Sequence, residues 1–116
     1  GARKELGKIA TDTVDFWLAD QRLIGNSAVR EKLQRSDANG LKRNYFNFLC
    51  WSTNGPCEFK GDLLANEMHG LGITNLEWFY ILEGAVNSLN KHNVPIREQN
   101  ELLTIIYALQ IKVIGQ

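Results

Sequence analysis

The segment from residue 55 to residue 74, GPCEFKGDLLANEMHGLGIT, carries the strongest structural signals of the chain. The pair Gly55-Pro56 is expected to end a helix, because glycine accepts a left-handed backbone and proline cannot continue an α-helix. Three further glycines then leave room for only a short helix, from Asp62 to Met68. Thr74 opens a capping box with Glu77, in which each side chain can reach the other's free backbone N–H. The segment therefore predicts a turn, a short helix and a second turn between two long helices.

Helical patterns also precede this segment. The first runs from about Lys4 to Ala19 and places these residues on one side: Leu6, Ile9, Thr13, Phe16 and Trp17. A more polar stretch from Asp20 to Gly40 can hold a short helix from Ala28 to Leu33, with Ser27 as its cap. A second long helix is predicted from Ser36 or Asp37, both good N-caps, to about Trp51. Its apolar stripe consists of Leu41, Tyr45, Phe48 and Leu49, and Asn54-Gly55-Pro56 ends it.

Two more helices follow the segment. The helix that starts at the Thr74 capping box repeats Phe79, Leu82, Val86 and Leu89 on one face, and residues 92–95 break it. Pro95 suits the first turn of the last helix, whose predicted buried face is Leu102, Ile106, Leu109 and Val113. No stretch alternates polar and apolar residues for long enough to predict a sheet. We therefore expect an all-α fold in which residues 1–116 form a single domain.

Composition restricts the function classes. The chain has 116 residues, of which 44% are hydrophobic, and 13 basic side chains balance 13 acidic ones. A formal net charge of zero gives no long-range attraction to nucleic acid or anionic lipid. No apolar run approaches the roughly 20 residues that a membrane span requires. There is also no phosphate loop, nucleophile elbow or His-Glu-x-x-His motif, so enzyme chemistry has little support.

The quoted segment resembles the signature of the group I truncated haemoglobins. In that family a Gly-Gly-Pro turn leads to an aromatic-x-Gly element, a proximal histidine, a glycine pair and Ile-Thr. The resemblance is strong from about Leu41 to Val113, and the family's short first helix is reduced or absent here. It implies a two-over-two helical sandwich, the globin-like fold of this family. It also implies a haem whose iron binds a diatomic gas such as O2 or NO, or passes electrons.

The resemblance leaves the axial ligand open. Counted from Gly55-Pro56 or back from Gly72-Ile73-Thr74, the family's histidine position falls on Met68 and not on His69. One residue corresponds to about 100° of helix rotation. His69 binds iron if the short helix shifts, Met68 binds if its thioether serves as the ligand, and otherwise the domain has lost haem. In the last case we expect a structural or protein-interaction subunit.

The resemblance also assigns positions around the cofactor. Val14, Leu41 and Tyr45 would face the bound ligand, with Leu49 deeper. The remaining candidate haem contacts are Phe59, Leu64, Met68, Ile73, Phe79 and Leu82. The family often has Tyr where Val14 stands, and Val14 cannot donate a hydrogen bond to bound O2. Tyr45 could supply that hydroxyl, or it could fill the volume that a missing porphyrin would leave.

Paired aromatic and thiol residues raise two further possibilities. Phe16 and Trp17 are adjacent, as are Trp78 and Tyr80 on either side of a phenylalanine, so some of these rings should point outward. Exposed rings are typical of interfaces, and we expect a protein partner or self-association through these four residues. Cys50 and Cys57 flank the predicted turn and either form a disulfide or stay reduced. A disulfide would favour an exported protein, and the sequence leaves the compartment open between cytoplasm and export.

Overall fold

The computed structural model describes residues 2–34, 37–53, 55–58 and 63–116, and within these the side chains of all but residues 2, 3, 37–39, 63 and 64. The helices are α1 (Ala2–Ala19), α2 (Gln21–Ile24), α3 (Ser27–Gln34), α4 (Asp37–Ser52), α5 (Leu63–Met68), α6 (Asn75–Lys91), α7 (Ile96–Tyr107) and α8 (Gln110–Val113). The described residues contain an isolated bridge between Ile73 and Ile114 but no strand. The predicted all-α class is confirmed, while Ser36, Asn54 and Phe59 lie outside the described residues.

The long helices pack through one hydrophobic cluster. Helix α1 makes its most extensive contacts with α6 and α4, so it lies between them. Most of the side chains that α1, α4 and α6 direct at one another are fully buried, among them Val14, Phe48 and Leu89. Helices α2 and α3 close one side of the cluster against α1, α4 and α6. This arrangement buries the apolar stripes that the periodicity indicates.

The turn after α5 is fixed by glycines and by the C-terminus. Gly70 and Gly72 have φ values of 83° and 65°, in the left-handed region that other residues rarely adopt. The Gly72 N–H donates to the carbonyl of Gln116, and the Gly115 N–H donates to the carbonyl of Ile73. Ile73, two residues before α6 begins, is consequently held in the core.

Local capping agrees with the sequence at one helix and differs at another. The Thr74 hydroxyl accepts from the Glu77 N–H at 3.1 Å, and the Glu77 carboxylate accepts from the Thr74 N–H at 3.0 Å. The predicted capping box is therefore confirmed. Ser27 is not the cap of α3, because the Asn26 side chain accepts from the N–H groups of Ala28 and Val29. An Asn carbonyl serves this role as well as a hydroxyl does.

Two predictions about helix faces and continuity are wrong. Phe79 is 57% exposed, since the buried face of α6 passes through Trp78, Ile81 and Leu82 instead. The last helix is interrupted, because the N–H groups of Ala108 and Leu109 bond to carbonyls three residues back and tighten the turn. Its predicted inner face is nevertheless confirmed, with all four residues buried: Leu102, Ile106, Leu109 and Val113.

Candidate cofactor site

Three aromatic rings fill the centre of the sandwich. The rings of Trp17 and Tyr45 are stacked with centroids 5.9 Å apart, and Tyr45 stacks in turn on Phe48 at 6.1 Å. The Trp17 indole N–H donates to the carbonyl of Ile81 at 2.9 Å, which ties α1 to α6. Gly84 makes room for this indole, since a Cβ at that position would lie 2.6 Å from Trp17. Trp17 is thus locked into the core.

Two buried polar atoms lie in this centre without a hydrogen bond in regular geometry. They are the hydroxyl of Tyr45 and the indole nitrogen of Trp78. Burial raises the pKa of the Tyr45 phenol to about 12, because the apolar surroundings disfavour the phenolate. The Thr13 side chain opposes this rise through a hydrogen bond to Tyr45. Buried polar groups are normally satisfied, so the Trp78 indole N–H, which has no partner among the described residues, lowers the stability of the fold.

Met68 and His69 have different environments. Met68, the last residue of α5, is only 7% exposed and points into the core. His69 follows in the turn and is exposed. The rotation of one helical residue separates the two side chains, as the sequence leads one to expect. Of the two candidate iron ligands, the structure therefore directs the thioether and not the imidazole toward the sandwich interior.

The space beside Met68 is small. Two cavities of about 20 Å³ each lie in the core, and both are lined by Trp17, Met68 and Ile81. A cavity of that size holds one water molecule, whereas small-molecule and cofactor sites occupy about 300–1,000 Å³. At the first cavity's edge, Lys32 forms an ion pair with Glu67 at 2.9 Å. The centre of the sandwich is therefore packed by the chain's own side chains.

The predicted cofactor residues are distributed unevenly around these cavities. Leu41 and Ile73 line the first cavity, Tyr45 and Leu82 line the second, and Met68 lines both. Val14 and Leu49 are buried in the same hydrophobic cluster but line neither cavity. Phe79 is at the surface, which corrects its assignment as a haem contact. Phe59 and the side chain of Leu64 lie outside the described residues.

The sequence did not indicate two residues that line the central cavities, and two residues that it predicted to be exposed are buried. Ile81 and Trp17 line both cavities, yet neither was assigned to the site. Trp17 and Trp78 are buried and cannot form the expected partner surface, whereas Phe16 and Tyr80 are half-buried. The ring of Tyr80 is covered by the guanidinium of Arg22, 3.8 Å from its centroid. The pairing of neighbouring aromatics indicated that some rings face outward but not which ones.

The other histidine forms a cross-link between helices instead of lying free in a loop. His92 follows α6, and its side chain is only 11% exposed. Its Nδ1 lies 2.6 Å from a carboxylate oxygen of Glu5, and its Nε2 lies 2.7 Å from one of Asp12. Chiefly because of Asp12, the pKa of His92 is raised, and the same contact lowers the pKa of Asp12. We call this group of His92, Glu5 and Asp12 the His92 clasp.

The two cysteines form a disulfide across the turn that ends α4. Cys50 and Cys57 are bonded, with their Cα atoms 5.7 Å apart. The Gly55 N–H also donates to the Cys50 carbonyl at 2.7 Å, so the turn is held by a backbone hydrogen bond as well.

Within the described ranges, no three His, Cys, Asp or Glu side chains meet as a metal-binding group. Among the same residues, no helix combines the length and apolar character needed to cross a bilayer.

Comparison with solved structures identifies the fold. The chain is similar to the crystal structure of a truncated hemoglobin from Tetrahymena pyriformis, a mutant in its Fe(III) form. The TM-score is 0.77 at 20% sequence identity, and the match covers 96% of this chain and 90% of that one. No protein-family model and no curated protein matches the chain. The globin-like fold predicted from the sequence, that of a truncated haemoglobin, is therefore confirmed.

The residues present do not fit the haem that this fold implies. A haem needs a flat cavity of several hundred Å³ and an axial side chain that faces the iron. Here Trp17 and Tyr45 occupy the interior, and each remaining cavity measures about 20 Å³. The imidazole of His69 is exposed, and the side chain that α5 directs into the core is the thioether of Met68.

Proposed function

We propose that this chain is a globin-fold domain whose interior is filled by its own side chains instead of haem, and that it serves as a structural or protein-interaction subunit. The observation that carries the proposal is the packed centre of the sandwich, where the Trp17–Tyr45 stack leaves cavities of about 20 Å³. The position of Met68 supports it further, because burying a methionine is ordinary core packing.

A hemin titration of the purified protein tests the cofactor half of this proposal. We expect no saturable Soret band in the wild-type protein. Met68→His alone should also bind little hemin, because it supplies an imidazole for the iron but no cavity for the porphyrin. Combining Met68→His with Trp17→Ala supplies both, and this double variant should bind hemin best; Trp17→Ala alone is its matched control. A stoichiometric Soret band in the wild-type protein would contradict the proposal.

Haem binding is the second candidate function, and two observations favour it. The Trp78 indole N–H is buried beside Met68 without a hydrogen bond to a described residue, and a rearranged core could direct it at a ligand. The similar solved structure is also a hemoglobin in its Fe(III) form. If the wild-type protein binds hemin, loss of the band in His69→Ala identifies imidazole ligation, and loss in Met68→Leu identifies thioether ligation. The protein would then be expected to bind a diatomic gas or to transfer electrons.

The interaction half of the proposal rests on a surface that we call the α6–α8 patch. It consists of Asn75 at the start of α6 and the exposed side chains of Tyr107 and Ile111. These residues line a groove of about 660 Å³ whose side chains are all uncharged. Since the chain has a formal net charge of zero, two copies do not repel each other at long range. We therefore take a second copy of the chain as the occupant.

Sedimentation velocity over a concentration series tests this interface. The wild-type protein should associate as its concentration rises, and Ile111→Glu should remain monomeric because it buries a charge in the contact. Ile111 is 82% exposed, so the substitution leaves the core intact. Ile96, 66% exposed at the opposite end of α7, offers the control Ile96→Glu, which should associate like the wild-type protein. A wild-type protein that stays monomeric throughout would refute self-association.

A further inference from the structure

A separate cleft of about 540 Å³ opens on the surface where α1 meets the C-terminal end of α6. It is lined from α1 by Lys4, Gly7, Lys8, Thr11 and the carboxylate of Asp12, and from the end of α6 by Lys91 and His92. Its volume lies within the range of small-molecule sites, which is about 300–1,000 Å³. The cleft shares none of its lining residues with the cavities at the centre of the sandwich.

The charges in this cleft do not cancel. Asp12 is engaged by Lys91 at 3.0 Å and by His92 at 2.7 Å, and Glu5 holds the other ring nitrogen of His92. These two carboxylates balance Lys91 and the doubly bonded imidazole. Among the described residues, no carboxylate forms an ion pair with Lys4 or Lys8. The cleft therefore keeps two uncompensated ammonium groups.

The spacing of these two lysines is unfavourable without a partner. Lys4 and Lys8 are four residues apart on α1, so they lie on the same face one turn apart. Like charges at this spacing repel each other and destabilise a helix. A bound anion would remove that repulsion.

Gly7 has no packing reason to be a glycine. A glycine inside a helix is destabilising relative to alanine, yet a Cβ at Gly7 would meet no atom within 4 Å. Gly84 differs, because Trp17 fills the space beside it. Gly7 lines the cleft, and the missing side chain keeps the cleft open between Lys4 and Lys8.

Thr11 adds an unused donor. Its side chain is exposed, and its hydroxyl forms no hydrogen bond with a described residue. Thr13, two residues further on, instead donates to the Ile9 carbonyl at 2.7 Å. The Thr11 hydroxyl lies on the same α1 face as Lys4 and Lys8, where it can donate to an anion.

We propose that this cleft binds a phosphate group through the ammonium groups of Lys4 and Lys8 and the hydroxyl of Thr11. Lysine binds phosphate as a mobile point charge, and two lysines match the charge of a phosphate dianion. Lys91 at the opposite wall adds a further positive charge that Asp12 shares. The absence of a side chain at Gly7 leaves room for the group to approach the helix.

The test is a titration of the full chain with pyrophosphate, followed by calorimetry and by amide chemical shifts. We expect saturable binding at one site, with shifts concentrated at residues 4–12 and 91–92. Lys8→Gln should weaken binding about tenfold, and Gly7→Leu should abolish it by filling the cleft. Lys112→Gln removes the same charge from α8 and should bind within about twofold of the wild-type protein. Circular dichroism establishes that each variant is folded.

A second arm distinguishes the source of the phosphate. Vesicles of phosphatidylcholine with and without phosphatidic acid replace pyrophosphate, and the same variants are compared by co-sedimentation. Binding of either probe that is lost in Lys8→Gln supports the proposal, and the probe bound more tightly identifies free phosphate or a lipid headgroup. Two results would overturn it: no saturable binding of either probe, or equal losses in Lys8→Gln and Lys112→Gln.

Discussion

The centre of the sandwich and the His92 clasp hold the same two helices, α1 and α6, by different physical means. At the centre, Trp17 fills volume against Gly84 and donates one hydrogen bond to the Ile81 carbonyl. In the clasp, His92 joins the two helices through carboxylates at 2.6 and 2.7 Å. The first contact depends on packing and is insensitive to pH, whereas the second depends on charge. The comparison shows that the same two helices are joined by a contact that depends on packing in the core and by a contact that depends on charge near the surface.

The largest expected effect comes from emptying the centre. Trp17→Ala should lower the free energy of unfolding by about 3–5 kcal/mol, because it removes a buried indole and leaves a cavity. The loss should be the same at pH 5 and pH 8, since no group that titrates there is involved. Urea denaturation at both pH values measures it. A loss below about 1 kcal/mol would mean that the indole is not a core element.

A smaller and pH-dependent effect is expected at the clasp. His92→Gln should cost about 1 kcal/mol where the clasp is fully charged, which is typical of a partly exposed ion pair. The raised pKa of His92 adds stability that is fully present below its ordinary value of 6.5 and is lost as the pH rises through the raised value. The lowered pKa of Asp12 adds stability that is present above 3.8 and is lost as the pH falls through the lowered value.

The difference in stability between wild-type protein and His92→Gln should therefore be greatest between about pH 4 and pH 6.5 and should shrink on either side. Thermal unfolding at half-unit pH steps measures this profile. Asn87→Gln, at an exposed position on α6, is a control that leaves the three clasp residues in place. A difference that does not change with pH would show that His92 acts by packing alone.

The smallest effect is expected at the buried hydroxyl of Tyr45, whose polar neighbour is the Thr13 side chain. Tyr45→Phe keeps the ring that stacks on Trp17 and removes only the buried oxygen. Because that oxygen is desolvated without a regular hydrogen bond, its removal should raise the free energy of unfolding by no more than about 1 kcal/mol. Chemical denaturation measures the change. A loss of stability would instead show that the hydroxyl forms a stabilising hydrogen bond with Thr13.

Much of the fold could be predicted because its signals are local. The Thr74–Glu77 capping box depends on residues three apart, and the structure contains it as expected. The offset between Met68 and His69 follows from helix rotation, and the two side chains do differ in burial. The apolar face of the last helix was also correct, even though the helix is interrupted after Tyr107.

The remaining features depend on contacts that are distant in sequence. Trp17 is buried because Gly84 leaves space for it, and nothing near Trp17 in the chain indicates this. The partners of His92 lie 87 and 80 residues away, so a histidine at a helix end gave no sign of the clasp. Which of the neighbouring rings faces outward depends likewise on the packing of other helices.

Thermal unfolding of the wild-type protein with and without excess hemin tests the central claim most directly. A ligand that binds the native state raises the midpoint in proportion to the logarithm of its concentration. The filled centre predicts one cooperative transition whose midpoint is unchanged by hemin. A midpoint that rises with hemin concentration, together with a Soret band, would show that the interior opens for the cofactor and would contradict this account.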